Sequence, residues 1–333
     1  MADKSHISET DIIARYFAPL AAETPGAFSL RDDAGLIQPP DGMDVVLTTD
    51  VILSGVHFLE SGAPQDVAYK ALAVNVSDLC AKGADPAVYL LSLALPDNPE
   101  ERWLEGIREG LAEAQTDFGC TLLGGDTVRT PGPATLSITA AGYVPKGQMV
   151  HRFGAGEGDM VYVTGTIGDA ALGLLLSQGA NAAKGSLSAD QVAFLRERYR
   201  RPQPRIAAIE IVRAHANAAM DVSDGLAGDF FKLCAASGVG GSIDAAKVPT
   251  SEAAASWITV QPERFHNAIT GGDDYEILLT VSRNASADIE TACAQAGIDV
   301  SPIGRILSAD SGVEILDENG NPLELSQKSF SHF

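Results

Sequence analysis

A chain of 333 residues with 45% hydrophobic and 20% charged residues is long enough for two ordinary domains with real cores. Its formal net charge of −21 argues against nucleic acid as a partner, because phosphate backbones are bound by Lys and Arg; phosphorylated small molecules stay open, since divalent cations bridge acids to phosphates. Four scattered cysteines (Cys80, Cys120, Cys234, Cys293) form no CxxC pair, the start Met-Ala-Asp-Lys-Ser-His has no apolar signal core, and no apolar run can span a bilayer, so a cytoplasmic location away from membranes is expected.

In chain order, residues 8–20 predict a helix with Ile12, Ile13, Tyr16 and Phe17 on one face and a capping box at Ser8 and Asp11. Short strands are expected at 29–31 and 36–37, then a turn at Pro39-Pro40-Asp41-Gly42. A strand over 45–49 ends in Asp50 and leads into a loop with Gly55-Val56-His57-Phe58. A long helix is predicted over 64–82, with Val67, Ala71, Val74 and Asp78 on one stripe. Spacing alone leaves Asp78 two readings, a helix end in water or a polar site at the edge of the core. Strand 87–95, helix 100–118 and short strand 121–123 follow, the last running into Gly124-Gly125-Asp126-Thr127. Strand 134–144 ends at Pro145-Lys146-Gly147, which reads as a domain boundary and gives domains 1–147 and 148–333.

The second half opens with His151-Arg152 and a glycine-rich turn, then a buried strand at 160–164. Gly165-Thr166-Ile167-Gly168 lacks the Gly-Lys-Ser/Thr ending of a phosphate loop, so a tight turn is the stronger reading. Helices are expected over 169–177, 194–199 and to about 216, the last after a basic, Pro-broken turn at 200–205. Ala219-Met220-Asp221-Val222-Ser223-Asp224-Gly225-Leu226 reads as a strand turning into a helix capped near Ser223 and stopped by Gly238. Strands near 242–244, 277–281, 301–307 and 312–316 and a helix over 286–296 complete an α/β (α+β mixed-sheet) pattern. Val76-Ser77-Asp78 and Val222-Ser223-Asp224 repeat one string and hint at two related halves.

Acids recur at strand ends and helix starts beside glycines: Asp32-Asp33, Asp50, Asp78, Asp126, Asp221 with Asp224, and Asp273-Asp274. α/β folds place their sites there, although a turn-capping Asp is the ordinary explanation of any single one. Converged carboxylates need cations, and hard oxygen donors suit Mg2+ together with substrate phosphates. The chemistry that follows is phosphoryl transfer, which runs on positioning and charge neutralisation.

Taken in order, Thr48-Thr49-Asp50 with Gly55-Val56-His57-Phe58, residues Ala68 to Leu79, Lys82-Gly83-Ala84-Asp85-Pro86, Gly124-Gly125-Asp126-Thr127, Asp221 to Leu226 and Gly271-Gly272-Asp273-Asp274-Tyr275-Glu276 resemble the thiamine-monophosphate kinase family. That family sits in the superfamily of aminoimidazole ribonucleotide synthetase. The resemblance implies a two-domain fold of that superfamily, a homodimer whose N-terminal sheets form a barrel, and ATP-dependent phosphorylation of thiamine monophosphate to the diphosphate. It further implies Asp33, Thr48, Thr49, Asp50, Asp78, Asp126, Asp221, Ser223 and Asp224 as magnesium ligands. Of these, Asp126, Asp221 and Asp224 are the expected catalytic acids. Gly125, Asp126, Arg152 and Ser223 are implied as ATP contacts, and His57, Asp273, Gln327 and Phe330 as substrate contacts. Asp78 and Asp224 are expected to converge on shared cations or phosphates.

Two positions depart from the family pattern. Asp273 stands where a Glu is usual, and Gln327 where an aromatic residue stacks on the substrate, with Phe330 a nearby substitute. Two other readings are kept: another ATP-dependent enzyme of the superfamily such as aminoimidazole ribonucleotide synthetase, and a non-catalytic acidic module that binds cations. Selenophosphate synthetases and the hydrogenase-maturation relatives are disfavoured, because no Cys precedes Cys80 and no C-terminal Cys is present.

Overall fold

The computed structural model describes residues 7–97, 99–182, 186–325 and 329. The chain divides into two compact units, one made of residues up to Leu79 with Ala84–Gly147, the other of Cys80–Gly83 with the chain from Gln148 onward. No helix among the described residues is long and apolar enough to cross a membrane.

The first unit opens with α1 (Glu9–Ile12), whose N-cap Ser8 accepts the Asp11 N–H; a π turn and a 3₁₀ turn carry the helix on to Ala21. Asp11 does not complete a capping box, because its carboxylate takes the Ser8 hydroxyl. The strand expected at 29–31 is instead a 3₁₀ segment, Pro25–Leu30, with Phe28, Ser29 and Leu30 all at positive φ. Left-handed backbone cannot pair into a ladder. Residues 36–37 form no strand either, although the Leu36 N–H is held by the Gly26 carbonyl.

Four strands follow as β1 (Met43–Leu53), β2 (Asp85–Leu95), β3 (Thr121–Arg129) and β4 (Thr135–Pro145), in the order β1-β4-β2-β3. Only the β2–β3 pair is parallel. α2 (Pro64–Ala81) and α3 (Glu101–Phe118) complete the unit. Val67 to Ser77 of α2 are buried all round, as a helix with small and apolar residues on every side must be. α3 is amphipathic; it buries Leu104, Ile107, Leu111 and Phe118, leaves Trp103 partly covered, and ends at Gly119 in the left-handed conformation.

β1 and β3 run further than expected. Asp50 does not end β1, and Gly124-Gly125-Asp126 lies within β3. Strand alternation then sorts their side chains. Val46, Tyr89, Leu91, Leu93, Ile138 and Ile52 are buried on one face, and Thr48 and Asp50 share their parity. Val45, Leu47, Val51 and Leu90 are exposed on the other, with Thr49 in their row; Leu47 is 64% exposed.

The second unit contains a six-stranded sheet, ordered β10-β7-β9-β5-β8-β6, from β5 (Met160–Thr164), β6 (Ala218–Asp221), β7 (Gly240–Asp244), β8 (Ile277–Val281), β9 (Val300–Leu307) and β10 (Val313–Leu316). Its helices are α4 (Asp169–Ser177), α5 (Ala189–Arg200), α6 (Ile209–His215), α7 (Leu226–Ser237), α8 (Glu252–Val260), α9 (Arg264–Thr270) and α10 (Ser286–Gln295). One core joins Val161, Val163, Met220, Phe230, Leu278 and Ile306. A second joins Leu172 and Leu195 to Trp257 of α8, a helix with no counterpart in the sequence reading.

Candidate functional site

In the first unit the acids divide by sheet face. On the helix-covered face Thr48 donates its hydroxyl to Asp78 Oδ2 of α2 in a short hydrogen bond, with Asp50 two positions along on the same side. Asp78 is thus part-buried against Thr48 rather than free in water at a helix end. Thr49 points the other way: its hydroxyl donates to the Ile138 carbonyl at 3.1 Å and accepts from Thr139 at 3.0 Å. Only a backbone oxygen of Thr49 is left to join Thr48 and Asp50.

Asp126 lies on the open face. It sits opposite Ser92 in β2, which sits opposite Ser137 and through it Val51. Asp126 and Gly125 line a cavity of about 650 Å³ beside β3, together with Asp32 and Asp33 and with Ile13, Phe17, Leu30 and Leu90. Gly125 is there for close packing. A Cβ on it would fall 1.9 Å from the Leu91 carbonyl oxygen, so no side chain fits and the backbone stays bare. His57 is fixed in the turn after β1, where its Nδ1 accepts the Leu53 N–H at 3.1 Å. That bond requires an unprotonated Nδ1 and leaves Nε2 to carry the ring proton.

In the second unit, buried Asp221 ends β6 and Ser223 and Asp224 form the turn before α7. Ser223 is not the N-cap. That place belongs to Gly225 at φ 106°, where a Cβ would come within 2.7 Å of the Thr270 backbone. The two Val-Ser-Asp strings therefore differ in structure, one in the last turns of α2 and the other in this turn. Asp229, fully buried in α7, accepts the Asp224 N–H at 2.9 Å and the Lys232 ammonium at 2.8 Å. Lys232 also holds the Asp224 carboxylate. Burial pulls the Lys232 pKa down, but the bonds to Asp224 and Asp229 outweigh it and raise the value overall. Burial likewise raises Asp229, against the pull of Lys232. Sequence reasoning passed over Lys232, although its spacing of three from Asp229 puts both on one helical row.

The Gly271–Glu276 block splits into a site part and a support part. Asp273 and Tyr275 are both at positive φ, with their N–H groups bonded to the Ser223 and Val222 carbonyls. Non-glycine residues in that region carry strain that the surroundings must hold. The block thus brings Asp273 beside Ser223. Asp274 is buried and accepts the Gly168 and Ala170 N–H groups at the start of α4, at 2.7 and 3.3 Å; burial raises its pKa well above the ordinary value. Glu276 accepts from Thr164 at 2.7 Å, from Arg198 at 3.0 Å and from Arg205. Gly165-Thr166-Ile167-Gly168 is a tight turn built against these two acids.

Arg152 is exposed between His151 and Phe153, whose rings stack at 4.5 Å; the Ala219 N–H on the His151 carbonyl ties this loop to β6. Gln327 and Phe330 lie outside the described residues. Among the described residues, no three His, Cys, Asp or Glu side chains are gathered as a metal site. The physical reasons are strand alternation in the first unit and the Lys232 ammonium on Asp224 in the second. The donors are nonetheless all oxygen, and the Thr48 hydroxyl on Asp78 is the pairing that hard cations accept, so the set fits Mg2+.

Residues 31–144 match the N-terminal domain model of AIR synthase related proteins, and residues 156–317 its C-terminal domain. The thiamine-monophosphate kinase of Caulobacter vibrioides is 42% identical over 306 residues, covering 91% of this chain and 85% of that protein. That of Escherichia coli K12 is 38% identical over 327 residues and 98% of both chains. Among solved structures, the thiamine-monophosphate kinase of Stenotrophomonas maltophilia superposes with a TM-score of 0.81 at 36% identity, covering 92% of this chain and 95% of that one. AaThiL complexed with AMPPCP and TMP superposes at 0.75 and 31% identity, covering 98% and 97%.

Proposed function

The chain belongs to the thiamine-monophosphate kinase family, and from that membership we infer that it transfers the γ-phosphoryl group of ATP to thiamine monophosphate, giving thiamine diphosphate. The observation that carries the reading is the cavity at β3, where bare Gly125 and the Asp126 and Asp33 carboxylates meet apolar side chains. Its roughly 650 Å³ lies within the range of small-molecule sites, about 300–1,000 Å³. A nucleobase suits the apolar lining and a polyphosphate the bare backbone.

Magnesium ligation is assigned to Asp33, Thr48, Thr49, Asp50, Asp78, Asp126, Asp221, Ser223 and Asp224, with Thr49 acting through its backbone oxygen. Bound there, the ions would offset the repulsion between two anionic phosphates and the transferring group. Asp126, Asp221 and Asp224 are the proposed catalytic acids. Gly125 and Asp126 take ATP with Ser223, and the Arg152 guanidinium pairs with phosphate oxygens through parallel N–H bonds. His57, oriented by the Leu53 N–H, offers Nε2–H to the acceptor, and Asp273 receives the thiamine side, with Gln327 and Phe330 completing that contact. The acceptor phosphate is already a nucleophile, so transfer is in line and needs no general base.

Residues 1–147 serve metal, ATP and dimer contacts, and 148–333 complete the catalytic set. The homodimer rests on the open sheet face, where the exposed side chains of Val45, Leu47, Val51 and Leu90 would be covered by a second copy as a barrel. Asp126 stands on that same face and is assigned to serve the partner copy. A cytoplasmic location goes with this reading.

The test offers purified protein and Mg-ATP three acceptors: thiamine monophosphate, free thiamine and formylglycinamidine ribonucleotide. Thiamine diphosphate from the first alone is expected. Aminoimidazole ribonucleotide from the third would favour the synthetase reading, and Mg2+ binding without turnover a non-catalytic module.

A further inference from the structure

We propose that Lys232 is a positioning residue for the Asp224 carboxylate, holding it while the site is metal-free and handing it to the divalent cation when one binds. This rests on the assignment of Asp224 as a magnesium ligand.

The geometry separates an anchor from an exchangeable contact. Asp229 has a side-chain exposure of 0% and is held by two donors, the Asp224 N–H at 2.9 Å and Lys232 Nζ at 2.8 Å. A solvent cation does not reach it. Asp224 has a side-chain exposure of 39% and is reachable. The Asp224 N–H bond to Asp229 involves only backbone on one side, so the turn keeps its shape when the Asp224 carboxylate changes partner. Lys232 sits three residues after Asp229 on α7, and that spacing fixes its ammonium beside the buried acid whether or not it still reaches Asp224.

Charge balance favours the exchange. Two carboxylates and one ammonium leave a net charge of −1, so the pair is not fully neutralised and still attracts a dication. Once the dication is on Asp224, Lys232 remains on Asp229 as a neighbouring positive charge that lowers metal affinity. Lys232 therefore offsets the repulsion between the two acids in the empty protein and keeps the bound ion exchangeable.

The probe is Mn2+ binding to nucleotide-free protein, read by the loss of its free-ion paramagnetic signal, for wild type, Lys232→Gln, Lys232→Arg and Asp224→Asn. Lys232→Gln is expected to bind at one site about tenfold more tightly, Lys232→Arg to restore wild-type affinity, and Asp224→Asn to lose that site. Unchanged or weaker affinity in Lys232→Gln, with the site still lost in Asp224→Asn, overturns the role of Lys232 alone. Full Mn2+ binding in Asp224→Asn overturns the ligand assignment beneath it. Should Lys232→Gln not fold, wild-type crystals soaked in Mn2+ decide: metal on Asp224 with Lys232 withdrawn supports the exchange, and metal on Asp224 with the ion pair intact overturns it.

Discussion

The Asp78 and Asp126 carboxylates lie on opposite sides of the four-stranded sheet. Asp78 accepts from Thr48 on the helix-covered face, while Asp126 continues the outward row through Ser92, Ser137 and Val51. Magnesium binds oxygen at about 2.1 Å, so one ion cannot take both carboxylates through a sheet. Within one protomer they cannot share a cation.

Asp126→Asn tests this most directly. The side chain is exposed, so thermal stability should stay within about 0.5 kcal/mol of wild type. Losing an anionic donor where phosphoryl charge is neutralised should lower kcat by about a hundredfold or more. Steady-state kinetics at saturating Mg2+ check it, and near wild-type turnover would remove Asp126 from the catalytic set.

Gly125→Ala should act through packing. Its methyl group would have to sit 1.9 Å from the Leu91 carbonyl oxygen, so β3 must move away from β2. Overpacking of this kind costs about 1–3 kcal/mol. Urea unfolding reads the stability, and the KM for ATP should rise with it because the cavity wall moves too.

Much of this arrangement was legible in the sequence, and the misses have local causes. Apolar residues at helical spacing gave α2 and α3, and short, mostly apolar runs gave β5 and β8. Three left-handed residues, Phe28 to Leu30, defeated the strand expected at 29–31, since propensity carries no signal for φ > 0 in Phe, Ser and Leu. α8 and α9 have no counterpart in the sequence reading, and α8 gains its stability from packing, as Trp257 does against Leu172 and Leu195. For the site, motif order located the residues but not their faces. Thr48, Thr49 and Asp50 read as one cluster until a continuous strand alternated them. In the Gly271–Glu276 block, Asp274 and Glu276 are supports, a role that only their buried partners reveal.

Glu276→Ala should be strongly destabilising. Glu276 is fully buried between Arg198 and Arg205, and its removal leaves the Arg198 guanidinium buried without its carboxylate. Breaking a buried pair on one side costs about 3–5 kcal/mol. Chemical denaturation measures it; a loss under 1 kcal/mol would mean that Arg198 finds water.

Asp169 gives a pH dependence with a defined sign. Burial raises its pKa, although hydrogen bonds from Ser251 and Thr166 oppose the shift. The folded state therefore binds more protons than the unfolded chain between the ordinary carboxylate pKa and the raised one. Its contribution is fully present below the unfolded value and is lost as pH rises through the folded one. Asp169→Asn does not titrate, so the stability of wild type relative to this variant should fall from pH 4 toward neutrality. Melting curves across that window check the slope, and a flat difference would place Asp169 at its ordinary pKa.

Leu47→Lys joins assembly to catalysis. Leu47 is 64% exposed on the open face, in edge strand β1, and a charge there would have to be buried unpaired if that face meets a second copy. The cost of such burial exceeds what one side chain contributes to a dimer interface, so sedimentation should report monomers. The mutation lies outside the proposed ligand set and points away from the helix-covered face, so it should leave the fold intact. Activity should nonetheless fall together with the dimer, because Asp126 stands on the same face and is assigned to serve the partner. A fully active Leu47→Lys monomer would return Asp126 to its own protomer and leave the apolar face without a catalytic reason to be covered.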